Sequence, residues 1–316
     1  MMYQQEPPFC IQVELTEGCN LMCNFCGIHS IRANAGDFNF MSKGLADKLA
    51  HQISEVGWNP RIEFAMHGEP TLNRQASAII EIFRKHLPET SLMMLTNGAG
   101  LLNKNKIKSL FDAGLNTLGL EDYQHNRIIF DEIQKHQTQY EIFNYPKDKN
   151  VTGPHTKFHK KRIIIIKDIT RAIKGGHSIL NNHCGCAYPP LIKPLKARCA
   201  KPFREISIRW DGNVAICCND WRGVYKCGNI IAQPIDKIWN NEFFHAARMK
   251  LYHYQRDFKP CCWCDARSYR VGLLPDKMGK SDLPLPCDST NKYLNEATKG
   301  KLYSKTNLLK WERFLN

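Results

Sequence analysis

The run Glu17-Gly-Cys-Asn-Leu-Met-Cys-Asn-Phe-Cys-Gly27 follows the apolar stretch Phe9-Cys-Ile-Gln-Val-Glu-Leu15, and its reading decides the fold. It places three thiols, Cys19, Cys23 and Cys26, within eight residues on a loop. Cysteine thiolates are soft ligands that select iron–sulfur clusters or zinc, and a closed structural site of either kind takes four. Three together leave one ligand to be found elsewhere. A distant Cys or His would make a zinc knuckle, and a bound small molecule would make a reactive cluster.

Two further stretches repeat the pattern of an apolar strand that ends in a polar turn. Residues Arg61-Ile-Glu-Phe-Ala-Met-His-Gly-Glu-Pro-Thr-Leu-Asn73 break at Gly68, with Glu69 presented at the strand's end. Glycine and proline on either side of that carboxylate set a local backbone and not a helix. Residues Ser91-Leu-Met-Met-Leu-Thr-Asn-Gly98 end in Thr96, Asn97 and Gly98. The C-x3-C-x2-C spacing, the Gly68-Glu69-Pro70 element and the Thr96-Asn97-Gly98 turn together resemble the radical S-adenosylmethionine (SAM) enzymes. That resemblance implies a [4Fe–4S] cluster on Cys19, Cys23 and Cys26, its fourth iron capped by the amino and carboxylate groups of SAM. It implies that backbone groups near Glu69, or its carboxylate, hold the SAM ammonium, and that Thr96, Asn97 and Gly98 contact the ribose or carboxylate. Without the resemblance, Glu69 reads equally as a solvated turn residue.

Helical periodicity fills the gaps between strands. Ser42 can cap a helix carrying Leu45, Leu49, Ile53 and Val56 on one face. Residues 76–87 and 103–113 behave alike, the second stopping at Gly114, and a further helix is expected near 128–138. Asn116–Glu121 and Arg162–Lys167 read as buried strands, with Tyr140–Tyr145 between them as the fifth. Alternating strands and helices predict an α/β fold, a partial (β/α)6 TIM-like barrel, with strand ends gathered on one face.

A second set of cysteines follows. Between Arg198 and Asp220 two alternating apolar runs are joined by Asp211-Gly212-Asn213, a strong hairpin signal, with Cys199 at one end and Cys217 at the other. Cys261 and Cys264 form a C-x2-C pair after a helix-like run from Pro234 to Tyr254. The spacing alone allows a zinc ribbon. The pattern C-x12-G-x4-C followed by C-x2-C also resembles the opening of the SPASM extension of radical SAM enzymes. Arg270 stands where the full pattern requires its next cysteine, so the likeness is to the shortened twitch form. That implies one auxiliary [4Fe–4S] cluster on Cys199, Cys217, Cys261 and Cys264, in a small β-hairpin plus helix domain. The expected division is 1–180 for the barrel, 181–275 for the auxiliary domain and 276–316 for a basic tail ending in a helix-like 306–315.

Fourteen cysteines in a chain of 316 residues argue for metal binding and not for a secreted disulfide scaffold. Cys10, Cys218 and Cys227 read as small buried hydrophobes, Cys262 and Cys287 as ordinary thiols. Cys184 and Cys186 lie just upstream of the second set, where they could replace a ligand or donate hydrogen. No run of eighteen apolar residues and no signal-peptide pattern is present, so a soluble cytoplasmic protein without membrane contact is expected. Of the net charge of +14, nine Lys or Arg against two Asp lie between Lys147 and Lys174. Lys193, Lys196, Arg198, Lys201 and Arg204 form a second cluster. Such patches attract polyanions, which keeps nucleic acid open as a partner.

The chemistry expected is reductive cleavage of SAM to a 5'-deoxyadenosyl radical, hydrogen abstraction from a substrate carbon, and electron uptake by the auxiliary cluster. A flavodoxin- or ferredoxin-like donor would supply the electron, and the substrate would be a peptide, protein or small molecule. Glu121 or Asp122, at the end of the fourth strand, could take the departing proton. The alternatives are radical SAM modification of a nucleic acid or nucleotide, and a zinc-structured nucleic-acid-binding protein without redox chemistry.

Overall fold

Runs of β-branched and aromatic residues bounded by Gly, Pro and Asn form a largely parallel sheet, the core of a computed structural model. It describes residues 5–32, 37–102, 105–122, 127–145, 147–148, 161–167 and 181–266. Cys287, the tail with its terminal helix, and most of the first basic cluster lie outside these residues. The strands are β1 (Cys10–Val13), β2 (Thr16–Glu17), β3 (Asn39–Phe40), β4 (Arg61–Phe64), β5 (Leu92–Thr96), β6 (Thr117–Glu121), β7 (Glu141–Tyr145) and β8 (Arg162–Ile166). Three more, β9 (Glu205–Ile208), β10 (Asn213–Ala215) and β11 (Lys226–Asn229), belong to the C-terminal part. Inner strands are buried along nearly their whole length, as expected of a sheet covered on both faces.

Nine strands form one sheet in the order β11-β10-β9-β1-β4-β5-β6-β8-β7. Six of them, β1, β4, β5, β6, β8 and β7, run parallel and form the partial barrel. The last two are exchanged relative to chain order. Ile163, Ile164 and Ile165 of β8 are fully buried between neighbours, and the more polar Glu141–Tyr145 takes the edge. Burying the more apolar strand outweighs sequential order.

The hairpin does not stand apart from the barrel. β9 pairs in parallel with β1, Cys10 opposite Glu205 and Val13 opposite Ile208, so the extension continues the barrel sheet. Gly212, at φ +83°, makes the turn between β9 and β10, as the Asp-Gly-Asn signal predicts. A short helix, Lys201–Arg204 with Pro202 in its first turn, intervenes between Cys199 and β9, where the alternating pattern predicts continuous strand.

Helix α1 (Lys43–Glu55) is capped by Ser42, whose hydroxyl accepts from Leu45 N at 3.2 Å, and it buries Ala46, Leu49, Ala50 and Ile53. Helices α2 (Ala76–His86) and α3 (Lys106–Asp112) follow, and Gly114 at φ +106° ends the second. The fourth, α4 (Arg127–Gln134), is shorter than its apolar pattern implies. The run Pro234–Tyr254 is two helices, Ile235–Trp239 and Glu242–Tyr252. Asn241 separates them, because its side chain accepts from Phe244 N at 3.0 Å and caps the second.

Candidate active site

The ends of β1, β4 and β5 are tied together by polar groups. Gly18 and Gly68 form a parallel bridge, with Gly18 N donating to His67 O at 3.2 Å and Glu69 N to Gly18 O at 3.0 Å. A Cβ on Gly68 would stand 2.3 Å from the carbonyl oxygens of Thr16 and Gly18, so only glycine allows this approach. The turn after Gly68 is a short 3-10 turn, Pro70–Leu72, capped by Glu69. Both Glu69 carboxylate oxygens are engaged within the protein. Oε1 accepts from Thr71 N at 3.0 Å, from the Thr71 hydroxyl, and from Thr96 Oγ1 at 2.6 Å, while Oε2 accepts from Asn97 N at 2.7 Å. Burial still drives the carboxyl pKa upward, because the donors offset it only in part.

The cysteine loop closes over this bracket. Asn97 Nδ2 donates to Cys19 Sγ at 3.4 Å and to Asn20 Oδ1 at 3.0 Å, and Leu21 N also reaches Cys19 Sγ at 3.4 Å. Cys26 N donates to Cys23 O at 2.9 Å and leads into the 3-10 turn Gly27–Ser30. Burial, with smaller contributions from Glu69 and Cys23, pushes Cys19 up to about 11, and burial, with Cys23, Cys19 and Glu121, pushes Cys26 up to about 12. Cys23 is raised by burial and then by Glu121, which places the end of β6 at the same loop. Iron is ligated by thiolates, so binding it here would release these protons. Asp122 N donates to Ile166 O at 3.2 Å, beside Glu121.

The second cysteine set is also gathered. Cys199, Cys217 and Cys261 are buried in one apolar cluster, and Cys264 packs on Cys184 and Ala266. Cys261 feels the charges of Cys199 and Cys264, and Cys217 those of Cys261 and Cys264. Cys184, packed on Cys264, is raised well above the ordinary thiol range while Cys264 is lowered. Among the described residues no three Cys, His, Asp or Glu side chains stand close enough to grip a single metal ion. Four buried thiols are the soft donor set that an iron–sulfur cluster takes.

Sequence reasoning missed the network that joins these two sites. Glu14 and His67 are fully buried, with Glu14 Oε1 2.7 Å from His67 Nδ1, and His67 Nε2 lies 2.8 Å from Cys218 O. Arg209 Nη2 donates to Glu17 Oε1 at 3.0 Å and its Nη1 to Trp221 O at 3.1 Å, while Arg32 Nη2 donates to Glu17 Oε2 at 2.8 Å. Trp221 lies against Gly27 and beside His67, its ring centroid 4.7 Å from the imidazole. The only signal in the sequence is a glutamate inside an apolar strand.

Burial would raise the Glu14 carboxyl, but His67 and then Arg209 outweigh it and hold it below its ordinary 4.5. A depressed folded-state pKa contributes stability above the unfolded value and loses it as pH falls through the folded value. Glu14→Gln is therefore expected to cost about 1–3 kcal/mol at neutral pH. It should also flatten the fall of Tm below pH 4.5, measured by thermal melts across the acid range.

Other cysteines differ from the reading as simple hydrophobes. Cys10 contacts Glu63 Oε2 at 3.4 Å, and Cys218 accepts from Lys201 Nζ at 3.4 Å. Cys227 is a core residue, as expected, and Cys186 packs with Ile28 and Trp221 against the first cysteine loop. The second basic cluster is largely not a free patch. Lys201 is paired with Glu205 at 2.8 Å, Arg198 stacks on Tyr252 and Tyr254, and Arg204 lies over Phe9. Only Lys193 and Lys196 of the five are exposed.

The sequence profile of the radical SAM superfamily matches residues 13–121, and that of the iron–sulfur cluster-binding domain SPASM matches residues 199–267. The chain belongs to the radical SAM superfamily and carries a C-terminal SPASM-type domain. It is accordingly an enzyme whose cofactors are a SAM-binding [4Fe–4S] cluster and auxiliary iron–sulfur chemistry, which removes the reading without redox function. Its fold is similar to that of BtrN in complex with AdoMet and 2-DOIA, at 22% identity, covering 83% of this chain and 95% of that one, with a TM-score of 0.63. BtrN in an open conformation matches at 19% identity over 83% of this chain and 94% of that one, TM-score 0.58. The enzyme anSMEcpe with bound AdoMet matches at 16% identity over 92% and 93% of the two chains, TM-score 0.49. No curated protein matches the sequence. Among the described residues no helix is long and apolar enough to cross a membrane.

Proposed function

We propose that this enzyme oxidises a carbon centre of a peptide, protein side chain or small metabolite, with Cys19, Cys23 and Cys26 holding the SAM-bound cluster. Cys199, Cys217, Cys261 and Cys264 hold an auxiliary [4Fe–4S] cluster that takes up the substrate's electron. The working division falls near residue 180, with the barrel before it and the auxiliary unit over 181–275. When bound and reduced, the first cluster supplies the electron that cleaves SAM and starts hydrogen abstraction. The observation that carries the proposal is the direct bond from Asn97 to Cys19, which puts the Thr96-Asn97-Gly98 turn, the Gly68 bridge and the cysteine loop around one space.

The Glu69 carboxylate is committed to Thr71, Thr96 and Asn97, so the backbone of Gly68, Glu69 and Pro70 is what this chain offers to the SAM ammonium. Excluding water from this space would keep a radical from being quenched. Glu121, whose charge reaches Cys23 and Cys26, or Asp122 beside it accepts the proton released on oxidation. Four cysteine ligands would leave the second cluster without a site for substrate, which supports an electron acceptor and not a substrate-binding metal. A flavodoxin- or ferredoxin-like donor supplies the first electron. Engagement of Lys201, Arg198 and Arg204 within the fold weighs against a nucleic-acid substrate.

Anaerobic reconstitution tests this reading. The full chain should bind about eight irons and Cys261→Ala about four. Cys261→Ala should still cleave SAM under dithionite but accumulate no oxidised product. Four irons, or tightly held zinc, in the unmodified chain would overturn the auxiliary assignment. Nucleic-acid affinity that falls steeply with salt and stimulates SAM cleavage would move the substrate to that class.

A further inference from the structure

His67 takes no part in the chemistry proposed above, yet it reaches both cysteine sites. Its main chain belongs to the first. His67 O accepts from Gly18 N at 3.2 Å, and the three residues that follow are Gly68, Glu69 and Pro70. Its side chain, fully buried, turns to the second. Nε2 lies 2.8 Å from Cys218 O, and because a carbonyl oxygen only accepts, the imidazole donates there. Cys218 follows Cys217 directly, and the chain beyond it closes on itself. Asp220 N donates to Cys217 O at 3.1 Å, and the Asp220 carboxylate accepts from Val224 N at 2.9 Å and Tyr225 N at 2.8 Å. On its other edge the ring is held by Glu14, whose Oε1 is 2.7 Å from Nδ1 and whose Oε2 accepts from Trp210 N at 3.1 Å. Met66, just before His67, sits at φ +96°, a conformation costly for a residue with a side chain and kept only where the surroundings hold it.

We propose that His67 is a positioning residue that couples the two sites, so that filling the auxiliary site strengthens SAM binding. The inference rests on the reading above, in which Cys217 helps to hold the auxiliary cluster and the Gly68–Pro70 backbone is offered to SAM. A ligand bond at Cys217 restrains the segment that carries Cys218 O and Trp221. The imidazole is rigid and bonded on two edges, so a shift of that carbonyl either breaks a buried hydrogen bond or moves His67. A moved His67 disturbs the Gly18–Gly68 bridge, where the chains already approach so closely that no Cβ fits on Gly68. Trp221 adds a second contact in the same direction. Its ring centroid is 4.7 Å from the imidazole, and its ring fills the space beside Gly27, the neighbour of Cys26. Sites joined through one set of buried bonds share a coupling free energy, which is typically about five- to 150-fold in affinity.

A double-mutant cycle on SAM affinity tests the proposal, measured by equilibrium dialysis of the anaerobically reconstituted full chain. Cys261→Ala, which should hold about four irons, is expected to bind SAM about fivefold or more weakly than the parent. His67→Phe keeps a ring beside Trp221 and loses both polar contacts. In that background Cys261→Ala should change SAM affinity by less than about twofold. His67→Gln, whose amide can still donate to Cys218 O, should retain part of the coupling. Equal SAM affinity in the parent and in Cys261→Ala overturns the proposal, and that comparison needs no variant of His67 to fold. The same loss with and without the imidazole is the mark of a residue that serves stability alone, and it overturns the role of His67. Only about four irons in the parent overturns the auxiliary assignment itself, and the proposal with it.

Discussion

Cys23→Ala should lose SAM cleavage by about a thousandfold or more, because the cofactor and not the protein carries that step. Its iron content should fall from about eight to about four, with the auxiliary cluster's signal retained. The loop itself should survive the change. The contacts shown at Cys23 that shape the loop are made by its carbonyl oxygen, which accepts from Cys26 N at 2.9 Å and lies 3.1 Å from His29 Nε2. The iron-free variant should therefore melt within about 0.5 kcal/mol of the iron-free parent, as is usual for changes away from packed or bonded groups. Cys261→Ala divides the activities the other way, keeping SAM cleavage and losing product. A Cys23→Ala protein that still cleaved SAM at an appreciable rate would show that the open cluster lies elsewhere.

Features written in local chemistry are legible in the amino-acid sequence. The cysteine spacing, the Gly68-Glu69-Pro70 break and the Asp211-Gly212-Asn213 turn each depend on a few adjacent residues. Each appears in the fold where its local chemistry places it. Strand order is less legible, because the exchange of β7 and β8 follows from comparing the burial of two distant strands. The split at Asn241 is visible in principle as a capping residue inside an apolar run, but periodicity of the flanking residues hides it. Glu14, His67, Arg209 and Trp221 come from four separated segments, and no spacing rule links them. Only proximity in sequence singles out Cys184, and its contact with Cys264 depends on the Asn182–Asp265 pair 83 residues apart.

Glu69→Gln should show how far the SAM pocket depends on a side chain that need not touch SAM. The carboxylate accepts from two backbone N–H groups and two hydroxyls, from Thr71, Thr96 and Asn97. An amide supplies one oxygen and turns the other position into a donor. Placed as in the parent, that donor faces Asn97 N, or, after an amide flip, the Thr71 and Thr96 groups. Either arrangement leaves buried donors without an acceptor, at about 1–3 kcal/mol. The loss falls on the tie between β4 and β5, and Asn97 is the residue that reaches Cys19. SAM affinity should fall about tenfold or more, since 1.4 kcal/mol is a factor of ten. Equilibrium dialysis against the reconstituted enzyme measures that loss, and iron content close to the parent value separates it from loss of the cluster. Were Glu69 instead a direct ligand of the SAM ammonium, Glu69→Gln would weaken SAM binding while leaving the melting temperature in place. The bracket predicts that both fall together.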